Sequence, residues 1–290
     1  MKDKPVFSRL LLARNPHIYA DVLAELAKDE EITIRFEVAR NKNTSAETLA
    51  ILAKDEFNCV RLAVAENIHT ADETLAALAK EDDAYICCAV ARNMNTSAET
   101  LAALAKEDDE QIRWWVAQNK NTPVGVLKTI ASRETSPVML TTLSKHVDSC
   151  VRVDVAGNPH TPFSVLRELA KDEDYGVRFV VAKNMNTPAE TLAELAKIAG
   201  FRDIVAQNVN TPAKTLTELA KDDCYLVRME VAKNPNTPVN IIKQLEKDYV
   251  PFVRNAAAAT KSPMDLLSPK MNIEPISRNT GKKSPLKMKM

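Results

Sequence analysis

Arginine stands at one fixed place in a repeated phrase. If the Asn that ends the motif Val-Arg-x-x-Val-Ala-x-Asn is position zero, Arg occupies −6 as Arg9, Arg35, Arg61, Arg113, Arg152, Arg178, Arg202, Arg228 and Arg254, with Cys87 the one exception. A row of guanidinium groups admits two chemistries. Facing outward, it would hold phosphates or acidic peptides through bidentate hydrogen bonds. Facing inward, it would bond carbonyls or the acid six residues earlier, as Asp55 stands to Arg61, Asp172 to Arg178 and Asp222 to Arg228. A residue required in nearly every unit, whatever the ligand, favours the inward, structural reading.

Two neighbouring columns vary instead. Position −1 is often basic (Arg14, Arg40, Arg92, Lys183, Lys233) but is also Glu66, Gln118, Gly157 and Gln207. Position −4, three residues earlier on the same helical face, runs from Trp115 to Glu37, Asp154 and Glu230. Specificity can be written in variable columns, so the candidate partner-binding residues are Arg14, Arg40, Arg92, Trp115, Lys183 and Lys233. Trp115 is the candidate exposed anchor, because Trp is enriched at interface hot spots. Trp114, at −5, where other units carry Phe36, Leu62, Val153 and Phe179, reads as core.

Other reactive side chains suggest little chemistry. His17, His69 and His160 replace Asn at +2 in separate units. Units about 8–10 Å apart cannot bring them within the roughly 2 Å that zinc requires of each ligand. The five cysteines, Cys59, Cys87, Cys88, Cys150 and Cys224, lack Cys-x-x-Cys spacing and read as buried free thiols in a reducing cytoplasm. No Gly-rich phosphate loop, Gly-x-Ser-x-Gly or His-Glu-x-x-His occurs. No metal or cofactor is implied. A catalytic reading would rest on His146, Asp148 and Asp154 alone, and a non-enzyme is expected.

The elements that position these columns follow from the repeat. The anchor Asn recurs at Asn15, Asn41, Asn67, Asn93, Asn119, Asn158, Asn184, Asn208 and Asn234, mostly 26 residues apart. That period is the signature of a stacked-helix solenoid. Ala at −2 with branched residues at −3 and −7 makes one apolar face of a first helix. The anchor Asn is expected to end it in the left-handed conformation. Thr at +3 and Pro at +4 then read as cap and first turn of a second helix, with Thr44/Glu47 and Thr96/Glu99 as capping boxes. Leu at +8 and +11 gives that second, longer helix its buried stripe. The interval from Asn119 to Asn158 is 39, so residues near 132–150 read as a half repeat lacking its first helix, leaving a notch. From Asn184 to Asn208 it is 24, a trimmed connection near Gly200.

These columns resemble the leucine-rich repeat variant family, most closely at 151–176 (VRVDVAGNPHTPFSVLRELAKDEDYG) and 227–252. The resemblance covers about residues 8–267. It implies an all-α, right-handed superhelical solenoid of about ten two-helix repeats, a short α or 3-10 helix alternating with a longer α-helix. It implies no activity, since such arrays serve mainly as binding surfaces. A family precedent carries an N-terminal cysteine cluster for an iron–sulfur centre, but here no cysteine precedes Cys59, so that role is not carried over.

Composition bounds the function. The 290 residues contain only five glycines and carry 39 basic against 39 acidic side chains. After residue 267, six cations (Lys270, Arg278, Lys282, Lys283, Lys287, Lys289) face Glu274, a balance of +5, so the body of 1–267 carries −5. The solenoid is therefore expected over 1–267, followed by a basic, disordered tail over 268–290. A net-acidic body argues against wholesale coating of nucleic acid. No stretch nears the roughly 18 apolar residues of a membrane span, and Arg14 interrupts Leu10–Ala13 as a signal core. The expectation is a non-enzymatic scaffold binding a protein or peptide. The alternative is a nucleic-acid-binding array resembling helical-repeat DNA glycosylases.

Overall fold

The computed structural model describes residues 4–260. The end of the 1–267 body and the 268–290 tail lie outside the described residues. Those described fold into twenty α-helices and one 3-10 turn. The first four units are α1 (Val6–Arg14) with α2 (Ala20–Leu26), α3 (Ile32–Arg40) with α4 (Ala46–Leu52), α5 (Asn58–Glu66) with α6 (Asp72–Leu78), and α7 (Ala84–Arg92) with α8 (Ala98–Leu104). The middle holds α9 (Glu110–Gln118), α10 (Val124–Arg133) and α11 (Pro137–Leu143). Then come α12 (Ser149–Gly157) with α13 (Phe163–Leu169), α14 (Tyr175–Lys183) with α15 (Ala189–Leu195), α16 (Arg202–Gln207) with α17 (Ala213–Leu219), α18 (Tyr225–Lys233) with α19 (Val239–Leu245), and α20 (Pro251–Ala259).

Successive first helices pack directly on one another, and the second helices typically rest on the first helix of their own unit and of the next. One core runs the length of the array, built from Ala at −2, Val at −3 and the second-helix leucines; Ala39, Val38 and Leu49 are fully buried. Ala at −2 lets neighbouring first helices approach closely, where a larger side chain would be overpacked.

The helix lengths reverse the expectation. First helices are typically nine-residue α-helices and second helices seven. The 3-10 turn Ala199–Phe201 lies in the trimmed connection rather than alternating through the array. A second helix is confined to two turns because its chain must leave the Thr-Pro turn and return through a Lys-Asp linker to the next first helix.

The anchor Asn also works differently from its expected role. It leaves the helix in extended conformation (Asn41, φ −70°, ψ 128°), and no non-glycine residue described has positive φ. Its amide is used in full. Asn41 Nδ2 donates to Ala13 O at 2.7 Å and Asn15 O at 3.0 Å in the preceding unit, while its Oδ1 accepts from Asn43 N at 2.9 Å. Asn67, Asn93, Asn119, Asn184 and Asn234 repeat the same pair of inter-unit bonds. Only an amide supplies donor and acceptor in this span; a carboxylate could not donate.

Thr at +3 does not cap forward either. Thr44 Oγ1 donates back to Val38 O at 2.6 Å, and the N-cap of the next helix is the following residue, Ser45 or its equivalent Pro. Ser45 accepts from Thr48 N, so the Thr44/Glu47 and Thr96/Glu99 capping boxes are not formed. The carbonyls that a helix C-terminus leaves open are thus met by Thr of the same unit and Asn of the next. No glycine is needed to end these helices, which accounts for how few the chain has.

The half repeat is a fusion rather than a simple loss. Helix α10 starts as a second helix after Thr122-Pro123, then packs against α12 as a first helix would. Asn158 Nδ2 accordingly donates to Ala131 O (2.7 Å) and Glu134 O (2.8 Å), at the end of α10. Glu134 stands in for an anchor Asn, with Oε1 accepting from Thr135 N and Ser136 N, and its other oxygen held 3.1 Å from Arg113 Nε. In place of the expected notch there is only a 240 Å³ pocket lined by Lys106, Glu107, Asp108, Arg113, Arg133 and Glu134, smaller than the 650 Å³ groove between α13 and α15.

Candidate partner-binding face

The −6 arginines face inward and hold units together. Arg35 Nη1 donates to Asp29 O (2.9 Å) and Glu30 O (3.0 Å) in the linker before it. Its Nε and Nη2 grip Asp55 Oδ2 and Oδ1 at 2.6 and 3.0 Å, twenty residues on. Arg152–Asp172 and Arg228–Asp248 repeat this geometry, and Arg61–Glu81 and Arg202–Asp222 vary it. The carboxylate therefore belongs to the next unit, whereas the acid six residues earlier contributes its carbonyl. Cys87 fills the vacant rung with a thiol 3.4 Å from Glu81 O, and burial, then the Glu107 carboxylate, pushes that thiol up to about 11.

The ladder sets an acid limit. The Arg228 guanidinium holds the Asp248 carboxyl below its ordinary value near 3.8, against the opposing effect of burial. At Asp55 and Asp172 burial pushes upward, but Arg35, Arg152 and capped backbone N–H groups prevail and the net direction is down. A depressed carboxyl contributes stability above its unfolded pKa and loses it as pH falls through the folded one. The thermal midpoint should hold from pH 7 to about pH 5 and fall steeply below about pH 4. A midpoint flat to about pH 3 in a pH series of thermal melts would contradict the ladder's role.

With the ladder committed, the varying columns remain. Their charges are largely paired, −1 to −4 across units (Arg14), −1 to −1 across units (Arg92) or within one helix (Lys233). Arg14 Nη2 lies 2.7 Å from Glu37, Arg92 Nη2 3.0 Å from Glu66, and Lys233 Nζ 2.7 Å from Glu230. Arg40 lies over the Phe36 ring at 5.6 Å, and Lys183 is exposed at the end of α14. Trp115 is not the freely exposed anchor expected: it is half-buried against the core, with Arg92 5.4 Å over its ring. Of the six candidates, only Arg92 and Trp115 are brought together; the others are strung along the array.

Arg92 and Trp115 form the rim of a 390 Å³ groove across α5, α7 and α9, with Leu62, Glu66, Tyr85 and Cys88. Sequence reasoning on −1 and −4 does not reach Tyr85, which is 78% exposed. Its signal is the −8 column, the next step of the same helical stripe, which varies from Thr33 and Cys59 to Tyr85, Gln111 and Cys150. Trp114 packs against the core, as its column implies. Cys59, Cys150 and Cys224 are exposed thiols, against the expectation of burial; Cys87 alone is buried and Cys88 is half-buried. Position −8 points away from the stacked helices, and the capping position of Cys224 is at the surface.

The remaining candidates have structural partners. His17, His69 and His160 donate their backbone N–H to the anchor Asn Oδ1, as Asn does elsewhere at +2. Asp148 caps α12 through Cys150 N, His146 Nδ1 accepts from Asp148 N, and Asp154 lies 4.0 Å from Lys128. No described helix is long and apolar enough to cross a membrane.

This architecture is an all-helical repeat solenoid of about ten two-helix units. Among solved structures it resembles a leucine-rich repeat variant with a novel repetitive structural motif, at 24% identity over 81% of this chain and 88% of that one (TM-score 0.37). It also resembles an engineered protein, at 16% identity over 87% and 92% (TM-score 0.29). The Escherichia coli protein YibA is similar at 14% identity over 90% and 98% (TM-score 0.29). No protein-family model matches the sequence, and no curated protein matches it.

Proposed function

We propose that the protein is a non-enzymatic binding scaffold of the cytoplasm, holding a protein or peptide segment on its first-helix face. The observation that carries this reading is the groove across α5, α7 and α9, where Tyr85 and Trp115 flank Arg92 and Glu66. Rigid aromatics beside a pre-positioned Arg are the side chains that dominate protein interfaces. Arg14, Arg40, Lys183 and Lys233 extend the face as rim charges that steer acidic segments more than they add affinity.

The nucleic-acid alternative would have to rely on those −1 cations, because the larger row of arginines is spent inside the array. The test is capture from the protein's own cell lysate, with and without nuclease, by the native chain and by a Trp115→Ala/Arg92→Glu variant of equal helicity. A bound protein that persists with nuclease and falls about tenfold or more in the variant is the expected result. Capture that vanishes with nuclease, and weakens steeply with salt, would sink this reading in favour of the alternative.

A further inference from the structure

Among the ladder arginines whose next-unit partner position lies within the described residues, Arg178 alone has an open rung. Arg178 makes the two linker bonds of its class, Nη1 to Asp172 O and to Glu173 O (2.9 Å). Twenty residues on, where Asp55, Asp172 and Asp248 supply carboxylates to Arg35, Arg152 and Arg228, this chain has Ile198. Ile198 keeps the register of the missing acid: its N–H donates to Leu195 O at 3.0 Å, as Asp172 N does to Leu169 O at 3.1 Å. The aromatic half of the rung is retained. Arg178 lies 5.5 Å over Phe201, as Arg35 lies over Phe57 and Arg228 over Tyr249. Phe201 is fully buried and stacked on Tyr175 at 4.8 Å, so the ring is fixed. No carboxylate pairs with Nε and Nη2 of Arg178 among the described residues.

Arg178 lines a 650 Å³ groove between α13 and α15, with Leu195 and the 46% exposed Ile198 on its apolar side. The nearby charges are committed: Asp172 to Arg152, Lys171 to Glu168 and Lys197 to Glu194. The rim charges Arg167 and Glu190 are exposed and opposite in sign. We propose that this groove is a second docking site, taking an Asp or Glu side chain of a partner's acidic segment. The partner's carboxylate completes the rung in trans, with the two-point geometry that Asp172 gives Arg152 at 2.7 and 2.9 Å. A neighbouring apolar side chain of the same segment covers Ile198. One positive group facing an apolar wall matches a single carboxylate, and the fold displays that ligand at its other rungs.

Three fluorescein-labelled peptides test this by anisotropy against the full-length protein: one alternating Leu and Glu, its Leu–Gln counterpart, and one bearing phosphoserine in place of Glu. The Leu–Glu peptide should bind the native chain, and Arg178→Gln should weaken it about tenfold or more. Ile198→Asp supplies the acid in cis, so it should abolish peptide binding while raising the thermal midpoint, which shows that the variant is folded. Trp115→Ala should leave this affinity unchanged, so the groove stands or falls apart from the first-helix face. Equal binding of the Leu–Gln peptide, or undiminished binding by Ile198→Asp, would overturn the proposal. Tighter binding of the phosphoserine peptide would overturn the carboxylate assignment and make the site a phosphate reader.

Discussion

Replacing Arg152 by Met is expected to destabilise the array by about 3–5 kcal/mol. The substitution keeps the aliphatic stem but removes the bonds to Asp172 (2.7 and 2.9 Å) and to the carbonyls of His146 (2.8 Å) and Val147 (2.9 Å). Both partners are about nine-tenths buried, so Asp172 would keep its charge without its counter-ion. An uncompensated buried charge costs more than the pair contributes. Adding Asp172→Asn to Arg152→Met should therefore recover part of the loss, a coupling measurable by a double-mutant cycle in urea. A single variant within about 1 kcal/mol of the native chain would mean that solvent reaches the pair more freely than its burial indicates.

The second large effect lies in the asparagine ladder. Asn93→Ala should cost about 3 kcal/mol, because it deletes three hydrogen bonds and leaves buried carbonyls without donors. Asn93 Nδ2 bonds Ala65 O (2.8 Å) and Asn67 O (2.9 Å), and its Oδ1 accepts from Asn95 N (2.9 Å). The comparison is Asn95→Ala, two residues on. Asn95 also donates across units, to Ile68 O and Thr70 O, but at the surface, where water replaces it. About 1 kcal/mol or less is expected there. Since each unit contacts only its neighbours, the damage at Asn93 should appear in hydrogen exchange as local opening of α5 to α8. Equal losses at the two positions would show that burial does not set the worth of these bonds.

The same residues show how far the sequence could be read. The period, the alternating pair of helices, the core columns and the half repeat were legible, because each follows from identical side chains recurring at helical spacing. The inward direction of the arginines was legible too, from their indifference to unit. Their partners were not. Asp55 is six residues from Arg61 and twenty from Arg35, and only the stacking of units decides that Arg35 takes the carboxylate while Arg61 takes the carbonyl. Asn and Thr depart from their local expectation for a related reason. Local propensity assigns Asn to a left-handed turn and Thr to a forward cap, but bonds across units and back to the preceding helix outweigh these preferences.

The candidate site divides in the same way. The columns at −1 and −4 were visible as variation, yet variation does not say which members meet. Arg92, Trp115 and Tyr85 converge because helices α5, α7 and α9 lie side by side, whereas Lys183 and Lys233 lie beyond the half repeat. The fusion of two roles in α10 follows from Asn158 finding Ala131 and Glu134 within reach. By itself, the sequence determined that this chain is a helical solenoid, since period and apolar spacing act within one unit. The tertiary structure alone decided which carbonyl, carboxylate or ring each polar side chain meets, and so which rung stands open, because those partners lie twenty or more residues away and come into range only when the units stack.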